Sequence, residues 1–212
     1  MLKIICPRIG IDIKKHFFSL KKEVFRKSIH MCTAFIPVLL HFYKVPILCL
    51  LSLTLLFYLI SEILRWKGVD VPIVSNITNA AARKRDANKI VLGPITLVLG
   101  IIITSIFWNE KSATVGIFAL AFGDGLASLA GKTFGRIEIP FTGGKTVAGS
   151  LTCFNAIFCT SWFVLQNTTV SFILALVGTI IEVLPLRDLD NIFLPTLLGG
   201  LTELLLPHIQ FM

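Results

Sequence analysis

The sequence VGIFALAFGDGLASLAG, residues 115–131, is an apolar run interrupted by a single charge, Asp124. A carboxylate at membrane depth costs roughly 2.5–3.5 kcal/mol on insertion scales, so a residue of this kind usually has a function. Small residues then recur at helical spacing and leave one helix face nearly bare: Ala127, Ser128, Gly131 and Gly135. Lys132, Arg136 and Lys145 add positive charge beyond them. This combination predicts a membrane helix beside a site for a phosphate ligand and its metal.

Composition extends this prediction to the whole chain. Hydrophobic residues make up 55% of the 212 residues, charged residues make up 15%, and the mean hydropathy is +0.83. Soluble domains carry about 25% charged residues. We therefore predict an all-α, polytopic integral membrane bundle of about seven helices, each close to the roughly 20 residues that cross a bilayer. The predicted spans are Ile29–Tyr43, Pro46–Leu64, Ile90–Trp108, Ser112–Gly131, Val147–Leu165, Val170–Leu184 and Ile192–Leu206, and a break near Gly123 is an alternative end for the fourth.

The distribution of lysine and arginine predicts the orientation. Alternate segments between the predicted spans carry eighteen of these residues against two. The positive-inside rule then places the N-terminus in the cytoplasm and the C-terminus outside. The net charge of +8 is thus a topology signal. No nucleic-acid partner is expected, because the basic residues follow the loops and no base-stacking motif accompanies them.

The N-terminal segment, residues 1–28, is basic and amphipathic. Its apolar residues share one helical face: Ile9, Ile13, Phe17, Leu20 and Val24. Its lysines lie largely off that face, which predicts an interfacial helix on an anionic cytoplasmic leaflet. A solvated basic tail is the alternative. Residues 29–212 are predicted to form a single transmembrane catalytic domain.

Polar groups converge on the cytoplasmic side of this topology. Asp124, Glu62 and Glu182 fall in the inner halves or at the inner ends of predicted spans. The other members lie in inner segments: Arg26, Lys27, His30, Lys132, Arg136, Lys145, Asp188, Asp190 and Asn191. Among the carboxylates inside the predicted spans, only Glu203, in the last span, falls on the outer side, and it receives no role. A water-soluble reactant would therefore arrive from the cytoplasm.

These residue types suit phosphoryl or nucleotidyl transfer. Asp124, Asp188 and Asp190 offer hard oxygen ligands for Mg²⁺ held jointly with substrate phosphates. Lys145 and the arginines can neutralise phosphate charge, and the FTGGKT turn at residues 141–146 offers backbone N–H groups for an anion. Such transfer depends mainly on positioning and charge neutralisation. Taken singly, each group also has a structural interpretation: a close helix contact for Gly131 and Gly135, a helix cap for the late aspartates, and interfacial anchoring for Arg26 and Lys27.

In order and spacing, these motifs resemble the polyprenol kinase family: dolichol kinase, phytol kinase and CTP-dependent diacylglycerol kinase, related in turn to phosphatidate cytidylyltransferases. Arg26-Lys27-x-x-His30 resembles the family's N-terminal motif. Residues 123–135 (GDGLASLAGKTFG), followed by Lys145-x-x-x-Gly149-Ser150, resemble its CTP-binding signature. Glu182 with the segment 188–191 (DLDN) resembles its late acidic motif, and Glu62 with Arg65 resembles a weaker one.

The resemblance implies a kinase that uses CTP and Mg²⁺ to phosphorylate a membrane isoprenoid alcohol, of polyprenol, dolichol or phytol type, or diacylglycerol. It implies four groups of site residues. The catalytic candidates are Asp124, Lys145, Asp188 and Asp190, and the metal ligands are Asp124, Asp188 and Asp190. The nucleotide-binding residues are Asp124, Ala127, Gly131, Lys132, Gly135, Lys145, Thr146 and Gly149. The substrate- or phosphate-binding residues are Arg26, Lys27, His30, Glu62, Glu182 and Asn191.

The short chain looks like the compact bacterial or plastid members, so we expect a bacterial inner membrane with the active site facing the cytoplasm. A homo-oligomer stays open. A phosphatidate cytidylyltransferase, which would transfer CMP to phosphatidic acid, is one alternative. A membrane transporter is another, although the sequence has no internal repeat and its polar groups cluster on one side.

Overall fold

The computed structural model describes residues 20–69 and 90–209, together with positions 71, 72, 74 and 78. Most of the predicted N-terminal segment and most of the basic loop at 65–89 therefore lie outside the described residues. Within the described ranges the chain is helical throughout, apart from turns and one isolated β-bridge between Glu138 and Thr146. The all-α prediction is confirmed.

Eight α-helices lie within residues 20–69 and 90–209. They are α1 (residues 20–32), α2 (Ile36–Trp66), α3 (Leu92–Phe107), α4 (Glu110–Phe118), α5 (Gly125–Phe134), α6 (Val147–Leu165), α7 (Thr168–Val183) and α8 (Asp190–Ile209). A 3₁₀ turn, Thr33–Phe35, joins α1 to α2, and a π-helical turn, Ala119–Asp124, joins α4 to α5. The helix boundaries agree well with the predicted spans, and the predicted end of α6 matches to the residue.

Three continuous helical stretches are long and apolar enough to cross a membrane: Leu20–Trp66, Glu110–Phe134 and Val147–Leu165. Two shorter apolar helices, Leu92–Phe107 and Thr168–Val183, accompany them. The composition and these helices identify a membrane protein. The alternative end of the fourth span, a break near Gly123, is not observed; the helix continues and changes from α to π geometry there.

The longest stretch, Leu20–Trp66, has 47 residues. A straight helix of that length would extend about 70 Å, more than twice the roughly 30 Å of a hydrocarbon core. Tyr43 interrupts it with non-helical backbone angles (φ −139°, ψ 60°), and Pro46 follows within the helix. His41, before the break, contacts Glu110 beyond the end of α3, whereas Glu62 accepts a hydrogen bond from the Val91 N–H at the start of α3. The two halves therefore end at opposite ends of α3.

Close backbone contacts hold α3 and α4 against α8. A Cβ atom on Gly100 would lie 2.1 Å from the carbonyl oxygen of Asn191, and one on Gly116 would lie 2.2 Å from that of Pro195. Only glycine permits such an approach. The main apolar core lies among α4–α8 and includes Ile157, Leu174 and Leu198, all fully buried. This packing fixes the start of α8, and hence Asp190, beside α3.

The π-helical turn determines where Asp124 lies. A turn of this kind inserts an extra residue into the helix and occurs frequently at functional sites. Here it contains Gly123, where a Cβ would lie 2.8 Å from the Ile157 side chain of α6. The close approach brings the last residue of the turn, Asp124, to the junction of α1, α5 and α6.

Candidate functional site

A charged cavity of about 750 Å³ opens at one end of the bundle. Its size falls within the roughly 300–1,000 Å³ typical of small-ligand sites. Its lining comes from α1, α5, the α5–α6 loop, the start of α6, the end of α7 and the start of α8: Glu23, Arg26, Asp124, Ala127, Ser128, Gly131, Lys132, Thr142, Gly143, Gly144, Lys145, Thr146, Gly149, Glu182, Pro185, Arg187 and Asp190. Residues more than 160 positions apart in the sequence thus share one cavity.

The α5–α6 loop forms a wall suited to an anion. Gly143 and Gly144 have φ values of 74° and 95°, in the left-handed region that favours glycine. Among the described residues, none accepts a hydrogen bond from their backbone N–H groups. Thr146 caps α6 by accepting a hydrogen bond from the Gly149 N–H, so the positive end of that helix dipole also faces the cavity.

The small residues of the predicted nucleotide signature serve two purposes. Gly131 and Gly149 both line the cavity, and a Cβ on Gly149 would lie 3.0 Å from the Ala127 carbonyl oxygen and 3.5 Å from the Cα of Gly131. These glycines therefore allow α5 and α6 to pack closely, and they leave the cavity wall there without side chains. Gly135 does not line the cavity. A Cβ there would lie 2.6 Å from the Thr146 side chain, so it permits close packing at the end of α5.

Asp124 is buried at the base of the cavity and pairs with α1. Its carboxylate accepts a hydrogen bond from the Lys27 ammonium, and its Oδ2 lies 3.4 Å from the Nδ1 of His30. All three side chains are at least nine-tenths buried. Lys27 and His30 contact Asp124 from α1, on the side away from the cavity, and do not line the cavity.

Glu23 is a site residue that the sequence interpretation missed. Its buried carboxylate binds both the Arg26 guanidinium and the Lys132 ammonium, and all three residues line the cavity. The sequence interpretation treated Glu23 as part of a basic tail. Its spacing of three residues from Arg26, which places both side chains on one helical face, was the available signal.

Lys145 is held across the cavity by Glu182. Its Nζ lies 2.8 Å from Glu182 Oε1 and also donates to the Glu182 backbone oxygen. Burial acts to lower the pKa of Lys145, but the charge and hydrogen bond of Glu182, together with the negative charges of Asp124 and Asp190, raise the pKa above its usual value. Lys145 therefore keeps its positive charge inside the cavity.

Asp190 reaches the same cavity from the start of α8, just before the apolar segment of that helix. Burial raises the pKa of Asp190 to about 7, and the negative charges of Asp124 and Asp188 act in the same direction. Asp188 is half-buried and does not line the cavity. The structure thus separates the two late aspartates, which the sequence pattern left equivalent.

Two further predicted residues do not line the cavity. The buried Glu62 carboxylate forms a bidentate contact with Arg65 and accepts a hydrogen bond from the Val91 N–H, so it connects α2 to α3. The buried Asn191 amide donates to Thr96 Oγ1 at 2.9 Å and joins the start of α8 to α3. These contacts give both side chains a structural role in the fold.

The carboxylates present fit a divalent ion bound together with phosphates. Among the described residues, no group of three or more histidine, cysteine, aspartate or glutamate side chains is close enough to hold a metal unaided. Mg²⁺ in phosphate-transfer sites is commonly bound by one or two carboxylates plus phosphate oxygens and water. Asp124 and Asp190 both face the cavity. Their donor chemistry therefore suits an ion that arrives with a nucleotide.

A helical membrane protein with a charged, phosphate-compatible cavity at one end is the class that this fold and site define. The chain is 29% identical over 148 residues to phytol kinase 1, chloroplastic, of Arabidopsis thaliana, an alignment covering 60% of this chain and 48% of the relative. It is 29% identical over 146 residues to a probable chloroplastic phytol kinase of Triticum aestivum, with 59% and 47% covered. It is 24% identical over 165 residues to CTP-dependent diacylglycerol kinase 1 of Saccharomyces cerevisiae, with 74% and 56% covered.

These relatives confirm the resemblance to the polyprenol kinase family that the motifs predicted. The chain spans about half the length of the curated relatives it matches. No family model and no solved structure gives a significant match.

Proposed function

We propose that this protein is a CTP-dependent lipid kinase that transfers the γ-phosphate of CTP to a membrane isoprenoid alcohol of polyprenol, dolichol or phytol type, or to diacylglycerol. The observation that carries the proposal is the charged cavity at one end of the bundle. It joins the central glycine-rich signature to Arg26 of the N-terminal motif and Asp190 of the late acidic motif. The relatives named as phytol kinases and as a CTP-dependent diacylglycerol kinase support the same reaction class.

In this proposal the triphosphate lies against the α5–α6 loop and the start of α6. The N–H groups of Gly143 and Gly144 and the helix dipole of α6 bind phosphate oxygens. Arg26, Lys132 and Lys145 line the cavity around them and offset the negative charge that develops during transfer. Glu23 and Glu182 hold these cations in place through the ion pairs described above, which reduces the reorganisation needed when the nucleotide binds.

Asp190 is the proposed general base. A base works best when its pKa lies near the operating pH, and burial raises the pKa of Asp190 to about 7. The lipid hydroxyl would donate its proton to the Asp190 carboxylate as its oxygen attacks the γ-phosphorus and the bond to the β-phosphate oxygen breaks. CDP leaves, and the products are the lipid phosphate and a protonated Asp190.

Asp124 is the proposed metal ligand, and the Asp190 carboxylate stays free of the ion so that it can accept the proton of the lipid hydroxyl. Mg²⁺, when bound, supplies charge neutralisation between the phosphates. The Lys27 ammonium forms an ion pair with the Asp124 carboxylate in this structure. We infer that it holds Asp124 charged and correctly oriented in the buried site until the metal–nucleotide complex binds.

We also propose that the bundle crosses the membrane seven times, with the N-terminus and the cavity on the cytoplasmic side of a bacterial inner membrane. The break at Tyr43 supports this by dividing the longest helical stretch into two crossings. The cavity lies among the lysine- and arginine-rich inner segments, and the lipid alcohol would approach it from the inner leaflet.

The test uses purified protein in detergent with Mg²⁺ and a panel of polyprenol, phytol, farnesol, diacylglycerol and phosphatidic acid. Two CTP samples are compared, one labelled on the γ-phosphate and one on the α-phosphate. Label that reaches an alcohol only from the γ position is the expected result, and it also identifies the acceptor.

Label from the α position alone, on phosphatidic acid, would instead establish a cytidylyltransferase. No transfer from either sample, in protein shown to be folded by its elution profile and circular dichroism, would contradict the kinase proposal. That result would instead favour a transporter that moves a phosphorylated solute through the same cavity.

A further inference from the structure

The loop between α5 and α6 has a second surface, which points away from the cavity. Phe134, Ile137 and Phe141 lie within eight residues, and their exposed fractions are 73%, 67% and 100%. Phe141 is fully exposed although its backbone adopts a φ of 64°, a left-handed conformation that is unfavourable for a bulky side chain. The unfavourable backbone conformation keeps the Phe141 ring fully exposed, which indicates that the ring contacts an apolar environment.

The local backbone shows which side of the loop faces the cavity. Glu138 forms an antiparallel bridge with Thr146, and residues directly opposite one another in such a bridge place their side chains on the same face. Thr146 lines the cavity, so Glu138 lies on the face of the loop that Thr146 shares, although Glu138 itself is exposed and does not line the cavity. Successive residues of an extended strand alternate between faces, so Ile137 lies on the opposite one. Phe141 does not line the cavity, although the next five residues do.

The position of the loop identifies its environment. It connects the ends of two apolar helices, Glu110–Phe134 and Val147–Leu165, both of which are long enough to cross a bilayer. The loop therefore lies at the membrane surface. Arg136 is exposed beside Phe134 and Ile137 and can interact with anionic headgroups. Apolar side chains interspersed with basic ones are typical of segments that lie in the interfacial layer of a bilayer.

We propose that the segment 134–141, here called the interfacial loop, inserts Phe134, Ile137 and Phe141 into the headgroup–acyl boundary of the inner leaflet. The same loop continues directly into Thr142–Thr146, which form the phosphate-facing wall of the cavity. Contact with lipid at Phe141 therefore holds that wall next to the leaflet from which the lipid substrate comes. The inference rests on the membrane placement within the proposed function and does not depend on CTP turnover.

The experiment places the photoreactive residue p-benzoylphenylalanine at position 141, and separately at position 137, in protein reconstituted into nanodiscs of phosphatidylcholine and phosphatidylglycerol. Glu138 provides the matched control on the face of the same loop that Thr146 shares. Phe163, which is 71% exposed on α6, provides the lipid-facing reference. After irradiation, intact-protein mass spectrometry measures the fraction of each variant that carries a lipid adduct.

We expect lipid adducts at positions 141 and 137 in yields close to that at 163 and several-fold above that at 138. Yields at 141 and 137 no higher than at 138 would overturn the proposal. A repeat with Mg·CTP tests the competing possibility that the Phe141 ring stacks on the cytosine base of the nucleotide. A nucleotide adduct at position 141 in place of the lipid adduct would also overturn the proposal. Neither readout requires catalysis, so a failed kinase assay and a failed insertion are distinguishable.

Discussion

Asp190 is the residue whose chemistry depends most on its surroundings. With a pKa near 7, its carboxyl group is protonated and unable to accept a proton at lower pH, and it becomes an available base as the pH rises. At subsaturating Mg·CTP, where the rate reports the ligand-free enzyme, we expect kcat/KM to rise about tenfold per pH unit below about pH 7 and to level off above it. Initial rates across that range measure the profile.

Asp188 provides a matched comparison for this profile. Its negative charge helps to raise the pKa of Asp190, so Asp188→Asn should move the rising limb to lower pH while activity is retained. Asp190→Asn should abolish the rising part of the pH–rate profile together with most of the activity. Titration of CTP itself cannot produce the shift in the Asp188→Asn profile. An unchanged limb in both variants would show that another group is the base.

The buried pair of Lys27 and Asp124 leads to a prediction that separates folding from catalysis. Asp124→Asn removes the metal ligand and also leaves a buried ammonium without its counter-charge, which in buried ion pairs typically costs about 3–5 kcal/mol. We expect this variant to lose turnover and to unfold at a lower temperature. The double variant Lys27→Met/Asp124→Asn should regain much of the thermal stability and none of the activity.

Thermal unfolding in detergent and γ-phosphate transfer, measured on the same preparations, check both parts. Activity retained in Asp124→Asn would contradict the role of Asp124. Stability that is not recovered in the double variant would show that Asp124 stabilises the fold through contacts other than the one with Lys27.

At the scale of the element, glycines determine how closely α3 can approach α8. Gly100→Ala would place a methyl group 2.1 Å from a backbone oxygen that cannot rotate away, so α3 must shift. Overpacking of this kind costs typically about 1–3 kcal/mol. Gly93→Ala is the control within the same helix, because no described atom lies within 4 Å of its Cβ position and alanine favours the helix. We expect a lower unfolding temperature for Gly100→Ala and an unchanged or higher one for Gly93→Ala, and equal values would contradict the close contact.

Helix positions could be predicted from sequence because they depend on local apolar length. Val147–Leu165 was predicted to the residue, since Thr146 caps its start and the apolar run ends at Gln166. The π-helical turn at Ala119–Asp124 could not be predicted, because it depends on the approach of Gly123 to Ile157 of another helix. The same sequence without α6 beside it is compatible with an ordinary α-helix.

The candidate site could likewise be predicted only in part from the sequence. Asp124 was predicted because a charge in an apolar run is conspicuous, and Lys145 and Asp190 because their chemistry and motifs suit a phosphate site. The structure brings all three to one cavity. Glu62 has equally conspicuous chemistry, yet its partners are Arg65 and the start of α3. Residue type therefore indicated which groups are unusual, whereas their assignment to ligand or to fold required the three-dimensional contacts.

At the scale of the whole molecule, the distribution of charge and the helix ends together predict the topology. Lys27, Asp124 and Lys145 lie at the cavity end, whereas His41, Glu110 and the Asn109–Glu203 contact lie at the other. The eighteen-to-two distribution of lysine and arginine predicts that the cavity end faces the cytoplasm. Labelling of introduced cysteines in intact cells with a membrane-impermeant maleimide tests this arrangement.

Lys44→Cys, Lys111→Cys and Gln166→Cys should react in intact cells, because each is exposed near the proposed outer end of the bundle. Glu138→Cys, exposed in the α5–α6 loop, should react only after the inner membrane is permeabilised. The unsubstituted protein gives the background from its native cysteines. If Lys44→Cys were protected while the other two outer positions reacted, the break at Tyr43 would not reach the outer surface, and the count of seven crossings would fall. If Glu138→Cys reacted in intact cells, the cavity would face away from cytoplasmic CTP, and the proposed donor would have to be abandoned with the orientation.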